Sequence, residues 1–396
     1  MISISQALKI IEREVSPLDT ETIDLEKSVG RVLAEEIVAD MDLPPFDRSQ
    51  MDGFALKTED AKNPPVKLKI VGEAIAGKGF DGDIIGGEAV RIMTGAPVPR
   101  AADAVQKVEN TCEKNGFVEI IEPVKIGQNI NFKASEIKTG KRIFGAGEIV
   151  TSQMIAAIAA FGYGKIRVFH QPKIAVISTG SEIVEIHEMP GKDQIRNSNS
   201  TMLKAFADRY ANAKILPPVK DDIENLKNAL VAATEKFDVL ITTGGVSVGD
   251  YDFTKPALRE LGAEIFFEKI LLKPGKPTVF ARLNDCLIFG LPGNPVSAAV
   301  TFYLFVRKAI LRMQSAKDDE LKKVFAVVSE KIKGAKERDS FLPVSLRTNE
   351  KGNLMIESLR FSGSSNFIAF ARADALVFVP QGKNHEAGDV AEIRFL

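Results

Sequence analysis

Residues Leu240–Asp252 read LITTGGVSVGDYD, and this stretch decides the fold. Val239-Leu240-Ile241 is a short apolar run bounded by small and turn-forming residues, the pattern of a buried strand in a parallel sheet. Gly244, Gly245, Ser247 and Gly249 then make a glycine-rich turn. A helical pattern follows from Thr254 to Leu261, with Leu258 and Leu261 on one face. A turn that leaves the carboxyl end of a strand and feeds a helix exposes backbone N–H groups, which bind anions. Asp250 and Asp252 would repel a bare phosphate. They make sense where a divalent cation lies between carboxylate and phosphate.

The alternation continues on both sides. Lys173–Ser178, Lys214–Pro217 and Cys286–Leu291 read as strands; Thr201–Tyr210, Ile223–Lys236 and Val296–Met313 read as helices. Residues 172–316 therefore form a doubly wound α/β domain, whose ligands lie beyond the carboxyl ends of the strands. Those ends carry Ser178-Thr179-Gly180-Ser181-Glu182, Asp221-Asp222, the Gly244–Asp252 stretch and Leu291-Pro292-Gly293-Asn294-Pro295. One such set of glycine, hydroxyl and carboxylate residues arises easily by chance; four together point to a ligand site.

Outside this domain the pattern changes. Ser3–Val15 reads as a helix capped by Ser3 with Gln6 three residues on, and Ala7, Leu8, Ile11 and Val15 form its stripe. Leu25–Ala39 is a second helical candidate, and Ser152–Phe161 a third that stops at Gly162. Between them, 44–139 is a run of short strands: Val66–Val71, Ala89–Met93, Ala104–Val108 and Phe117–Ile121. The reading is an inserted small β domain, with 1–43 and 140–171 as a discontinuous N-terminal helical domain whose helices pair across the insertion. Ser315–Lys323 is a charged linker. Within 317–396, five further strand patterns suggest a small C-terminal β barrel.

Composition bounds the function. The chain has 396 residues, 45% hydrophobic and 27% charged, with net charge −1. The length favours several domains, and the charge gives no pull toward nucleic acid or an anionic membrane. Cys112 and Cys286 stand far apart, which suits a reducing compartment rather than a disulfide framework. His170, His187 and His385 do not cluster as zinc ligands. No apolar run is long enough to span a bilayer and no signal peptide opens the chain, so a cytoplasmic location is expected.

Six motifs in order, Pro44–Ala55 (PPFDRSQMDGFA), Ile92–Pro99 (IMTGAPVP), Ser178–Glu182 (STGSE), Thr242–Lys255 (TTGGVSVGDYDFTK), Leu271–Phe280 (LLKPGKPTVF) and Phe289–Ala298 (FGLPGNPVSA), resemble the MoeA family. That family comprises molybdopterin molybdotransferases and the homologous E domain of gephyrin. The resemblance covers the whole chain. It implies insertion of molybdate into adenylated molybdopterin with magnesium, giving molybdenum cofactor and AMP. It implies a four-domain homodimer, with each site shared between the α/β domain of one subunit and the inserted domain of the other. Asp52 and Thr94 would come from the partner subunit. A molybdopterin adenylyltransferase and molybdoenzyme apoproteins are the implied partners.

Against that chemistry, Glu182, Asp221 or Asp222, and Asp252 are candidates for magnesium, because cleaving a pyrophosphate bond needs developing charge neutralised. Lys269, Lys273 and Lys276 flank a Pro-Gly turn that would aim them at phosphate or molybdate. Gly293 and Asn294, with Pro292 before them and Ser297 after, precede a helix whose free N–H groups would hold the pterin's phosphate. Ser198 and Asn199 resemble a polar contact to the pterin side, and Gly244, Gly245, Ser247 and Gly249 form the loop against it. One stretch departs from the family: 127–140 reads GQNINFKASEIKTG, with Asn131 and Phe132 where arginines are common and Glu136 where an aspartate is. Lys133 would substitute there only as a point charge. Two other functions compete. A sister adenylyltransferase shares the α/β fold, but it typically reads GGTG followed by Arg-Asp after this strand, where this chain has GGVSVGDYD. A gephyrin-like scaffold would use the dimer as a peptide-binding surface.

Overall fold

The computed structural model of the chain describes residues 1–220, 222–246, 253–359 and 363–396. The chain divides into two compact units, one of Met1–Glu35, Ala146–Ile155 and Lys165–Leu396, the other of Glu36–Gly145 and Ala156–Gly164.

The first unit holds the α/β layer. Helix α1 (Ile4–Glu14) opens with a full capping box: the Gln6 amide donates to Ser3 Oγ at 3.1 Å and the Ser3 amide to Gln6 Oε1 at 2.9 Å. Then follow β1 (Lys173–Ser178), α2 (Ser198–Ala207), β2 (Asn212–Ile215), α3 (Ile223–Thr234), β3 (Val239–Thr243), α4 (Thr254–Glu260), β4 (Glu264–Phe267), β5 (Val279–Leu283), β6 (Cys286–Leu291) and α5 (Pro295–Thr301). The sheet order is β2-β1-β3-β6-β5-β4, parallel through β6 and antiparallel beyond it.

Alternation along β1 shows why its strands read as continuous apolar runs. Ile174 and Val176 pack with α1, α2 and α5, whereas Ala175 and Ile177 pack with α3 and α4. Both faces are covered, so neither needs polar residues. Each fully buried Leu or Ile side chain contributes about 1.5–3 kcal/mol. The helix begun by α5 passes through a π-helical turn, Phe302–Val306, into α6 (Arg307–Met313). Lys308 and Asp319, both buried, pair at 2.8 Å and fix the segment leading out of α6.

The C-terminal part of this unit is a closed barrel of β7 (Lys323–Val328), β8 (Asp339–Thr348), β9 (Leu354–Ser358), β10 (Ala375–Val379) and β11 (Val390–Phe395), with the short helix α7 (Phe367–Phe370) between β9 and β10. The order β8-β9-β7-β11-β10 closes through the β8–β10 pairing, which leaves the barrel no free edge.

The second unit is built on a six-stranded sheet in the order Ala104–Lys107, Gly53–Leu56, Glu88–Ile92, Val66–Ala74, Phe117–Ile120, Thr111–Lys114. A Cβ on Gly53 would run into the Gln106 carbonyl, so the strand that follows the Asp52-Gly53 turn needs glycine for close approach.

Three expectations are corrected. Leu25–Ala39 is not a helix: a 3-10 turn covers only Leu25–Lys27, and Gly30 takes φ +83°. Val32 and Leu33 then bridge to Ile149 and Val168. Long-range pairing overrides the local apolar spacing. Nor do helices hold the N-terminal segments together. That role falls to strands, Thr20–Asp24 with Lys165–Phe169, while α1 packs on α6 and the π turn before it. Finally, Glu264–Phe267 and Val279–Leu283 add two antiparallel strands at the sheet edge that the α/β reading lacked. No helix among the described residues is long and apolar enough to cross a membrane.

Candidate functional site

The carboxyl ends of β1, β3 and β6 converge on a cavity of about 650 Å³ lined by Thr179, Glu182, Asn197, Asn199, Gly244 and Gly293 among others. Its floor is tightly built. The Asn199 amide nitrogen donates to Thr243 Oγ1 at 3.0 Å and to the Gly293 carbonyl at 2.6 Å, tying α2 to the ends of β3 and β6. Asn197, the N-cap of α2, accepts from the Ser200 amide and donates to Ser178 Oγ at 2.9 Å. At Gly244, φ is +95° and a Cβ would lie 2.5 Å from the Thr179 carbonyl, so only glycine brings the backbone this close to β1. Several buried polar atoms here have no protein partner, among them Thr179 Oγ1 and Asn199 Oδ1. Unpaired buried groups are costly, and at a cavity wall they mark positions a polar ligand can satisfy. Ser198 lines the same space, and Glu182 stands at its edge as an exposed carboxylate.

A second cavity of about 740 Å³ lies between the α/β layer and the barrel. Lys273 and Lys276 line it, with Pro292, Asn294 and Ser297, and so do three cations of the barrel: Lys331, Lys333 and Arg338. Leu272-Lys273 pairs in parallel with the start of β8, and Arg338 donates to the Leu272 carbonyl at 3.2 Å. The barrel thus pins the lysine turn. Gly275 (φ +118°) completes that turn where a Cβ would lie 2.5 Å from Thr301 Cγ2. Asn294 lines both cavities and donates to Ser364 Oγ at 3.0 Å. Five cations among the described residues of one cavity, beside a cavity of amides and hydroxyls, form a recognition surface for a polyanion with a polar body.

The remaining candidates fall elsewhere. Lys269 lines neither cavity; its carbonyl accepts from the Ile2 amide. Asp222 caps α3, accepting from the Asn225 amide at 2.8 Å, and lines neither cavity. Gly245 (φ +61°) packs on Thr179 and Thr254 behind the first cavity. Asp221, Ser247, Gly249, Asp250 and Asp252 lie outside the described residues. Among the described residues no three acidic, histidine or cysteine side chains gather as a metal cage. Among the described residues Glu182 alone supplies a carboxylate to the first cavity, which suits magnesium held by one or two carboxylates plus substrate phosphate. Thr179 belongs to a strand end already read from the sequence as part of a ligand site; Arg196 and Asn197 do not, although they directly precede Ser198 and Asn199. Lys331, Lys333, Arg338 and Ser364 carried no local signal at all.

In the second unit, Asp52 and Thr94 meet at one end of two paired strands, Gly53 opposite Ile92. The backbone N–H and hydroxyl of Thr94 both donate to Asp52 Oδ1 at 2.7 Å. These bonds, the backbone one foremost, hold the Asp52 carboxyl below the usual carboxylate range. A depressed value favours the folded state above the unfolded pKa, and that contribution fades as pH falls through the folded pKa. Thr94→Val is expected to raise the Asp52 pKa in a carbon-detected NMR titration without restoring its ordinary value, since the backbone donor remains. An unmoved titration would remove the hydroxyl from the explanation. In the departing 127–140 segment, Lys133 Nζ lies 3.4 Å from Asp42 and Arg48 pairs with Glu136 at 3.1 Å. The charge of Lys133 is thus shared with an acid of its own unit.

Known proteins match this architecture throughout. Residues 2–162 match the MoeA N-terminal region (domain I and II), 175–312 a probable molybdopterin binding domain, and 326–396 the MoeA C-terminal region (domain IV). The molybdopterin molybdenumtransferase of Staphylococcus aureus strain COL is 34% identical over 398 residues, spanning 99% of this chain and 95% of that protein. The crystal structure of the molybdopterin biosynthesis moeA protein from Pyrococcus horikoshii OT3 superposes with a TM-score of 0.86 at 28% identity, over 100% of both chains. A further crystal structure of a P. horikoshii moeA protein gives 0.79 at 31% identity, over 100% of this chain and 99% of that one. With a relative this similar over nearly its full length, and with all three regions present in order, the chain belongs to the MoeA family.

Proposed function

We propose that this chain is a molybdopterin molybdotransferase: it takes adenylated molybdopterin and molybdate and yields molybdenum cofactor and AMP. The observation that carries this reading is the pair of adjoining cavities bridged by Asn294, one lined by amides, hydroxyls and Glu182, the other by five cations among the described residues. The substrate has the matching parts, a polar heterocyclic body and several anionic groups. Lys273, Lys276, Lys331, Lys333 and Arg338 hold the oxyanions, molybdate and phosphate, and offset the charge that develops as the phosphoanhydride P–O bond breaks and AMP leaves. Asn199, Thr179 and the Gly293-Asn294 backbone orient the body of the substrate. Glu182, with Asp252, would hold magnesium against the anhydride phosphates, where the ion supplies Lewis-acid charge neutralisation. Molybdate-dependent release of AMP from adenylated molybdopterin tests the assignment.

The chain is further proposed to work in the cytoplasm as a homodimer that receives substrate from an adenylyltransferase and passes product to molybdoenzyme apoproteins. In that dimer Asp52 and Thr94 would act on substrate bound by the partner subunit. This rests on the family resemblance and on the rigid exposed Asp52–Thr94 pair. Mixing an Asp52→Ala chain with a Glu182→Ala chain should then restore up to about a quarter of wild-type activity, because half the dimers are mixed and each keeps one intact site of two. Verified subunit exchange with no return of activity would place both residues in one chain's site, or take one of them out of it.

A further inference from the structure

A third, smaller cavity of about 270 Å³ opens from the first and shares Ser198, Asn199, Pro295 and Phe367 with it. It is a slot between α2, α5 and α7. Met202, Phe206, Phe370 and Ala371 supply the rest of its walls. Those walls are held in place. Phe206 lies 4.8 Å from the Tyr303 ring, 5.5 Å from Phe302 and 6.5 Å from Phe370, centroid to centroid. The α7 segment is anchored as well: Asn366 caps it by accepting from the Ala369 amide, and the Val296 amide donates to the Ser364 carbonyl just before it. One polar atom without a protein partner stands where the slot meets the first cavity, the buried Asn199 Oδ1; the nitrogen of the same amide is already committed to Thr243 and Gly293.

An apolar slot with rigid aromatic walls, bordered by the unpaired Asn199 Oδ1 and the Ser198 hydroxyl, suits a planar heteroaromatic ring bearing an exocyclic amine: the ring stacks or packs edge-on, and the amine donates to an acceptor. We infer that this slot seats one of the two amino-substituted nitrogen ring systems of the adenylated substrate, with Phe367 as the wall that joins slot and cavity. The inference rests on the proposed function for the identity of the substrate. Adenine and pterin share the required chemistry, and the test separates them.

Phe367 is 45% exposed, so Phe367→Ala should leave the fold intact; Ala371→Leu, at an exposed position, fills the slot instead of opening it and adds no fluorophore. Binding of three probes to the full-length protein is measured: AMP and ribose 5-phosphate by calorimetry, and pterin by its own fluorescence, which is clean in a chain with no tryptophan. Both variants should weaken either AMP or pterin by about tenfold, the usual scale for losing a stacked base, while ribose 5-phosphate is unchanged. A loss confined to AMP seats adenine in the slot; a loss confined to pterin seats the pterin. Unchanged affinity for both rings, an equal loss for ribose 5-phosphate, or a wild type that binds neither ring would overturn the inference. Wild-type AMP release is assayed in parallel. Its absence would sink the transferase reading while leaving a ring-selective effect standing, so the two failures are distinguishable.

Discussion

Replacing Glu182 with alanine is expected to slow turnover of adenylated molybdopterin about 10²–10³-fold at limiting magnesium, the several kcal/mol that a charge-stabilising cation supplies. Glu182 is the described carboxylate of the first cavity, and its position follows from its place just past the end of β1. Its exposure means that the substitution removes no core packing, so thermal unfolding should stay close to wild type. Raising magnesium should recover part of the rate, because a weakened site still fills by mass action. Glu182→Gln should behave as the alanine does, since it keeps the shape and loses the charge. Wild-type turnover by Glu182→Ala at limiting magnesium would show that the carboxylate does not hold the ion.

The second large effect is expected in the basic cavity. Hydrogen bonds to charged groups are worth about 1.5–3 kcal/mol, so Lys273→Ala and Arg338→Ala should each weaken molybdate or substrate-phosphate use by roughly 10–150-fold. Wild-type affinity should fall with added salt, since these partly exposed charges are screened. Arg338→Lys should restore only part of the loss, because an ammonium cannot reproduce the planar fork that also reaches the Leu272 carbonyl. Lys269→Ala is the internal control: Lys269 lines neither cavity, and its removal should leave both affinities alone. Unchanged apparent affinities in Lys273→Ala and Arg338→Ala together would take the cavity out of oxyanion binding.

The α/β layer was legible in the sequence because its information is local. A buried parallel strand must be apolar on both faces, and its carboxyl end must turn. Val239–Thr243 and Cys286–Leu291 announce themselves in this way to the residue. The barrel was legible for the same reason, as alternating runs split by turns. Leu25–Ala39 was misread because its apolar spacing fits a helix, whereas Val32 and Leu33 answer to strands more than a hundred residues away. The site shows the same division. Glycine, hydroxyl and amide residues at the ends of β1, β3 and β6 could be picked out from their neighbours in sequence. Lys331, Lys333 and Arg338 could not, because what makes them a site is a parallel pairing between Leu272-Lys273 and the first residues of β8, Asp339-Ser340, far along the chain. Asp222 shows the opposite failure: an acid beside a strand end fits a metal site and a helix cap equally well in sequence, and here the side chain caps α3.

One assay decides whether the chain is a molybdotransferase. Purified protein is given adenylated molybdopterin with magnesium, and AMP is followed before and after molybdate is added. The predicted result is AMP release that starts with molybdate and is accompanied by molybdenum bound to the pterin dithiolene. No molybdate-dependent AMP release, or instead the consumption of ATP to adenylate free molybdopterin, would contradict it.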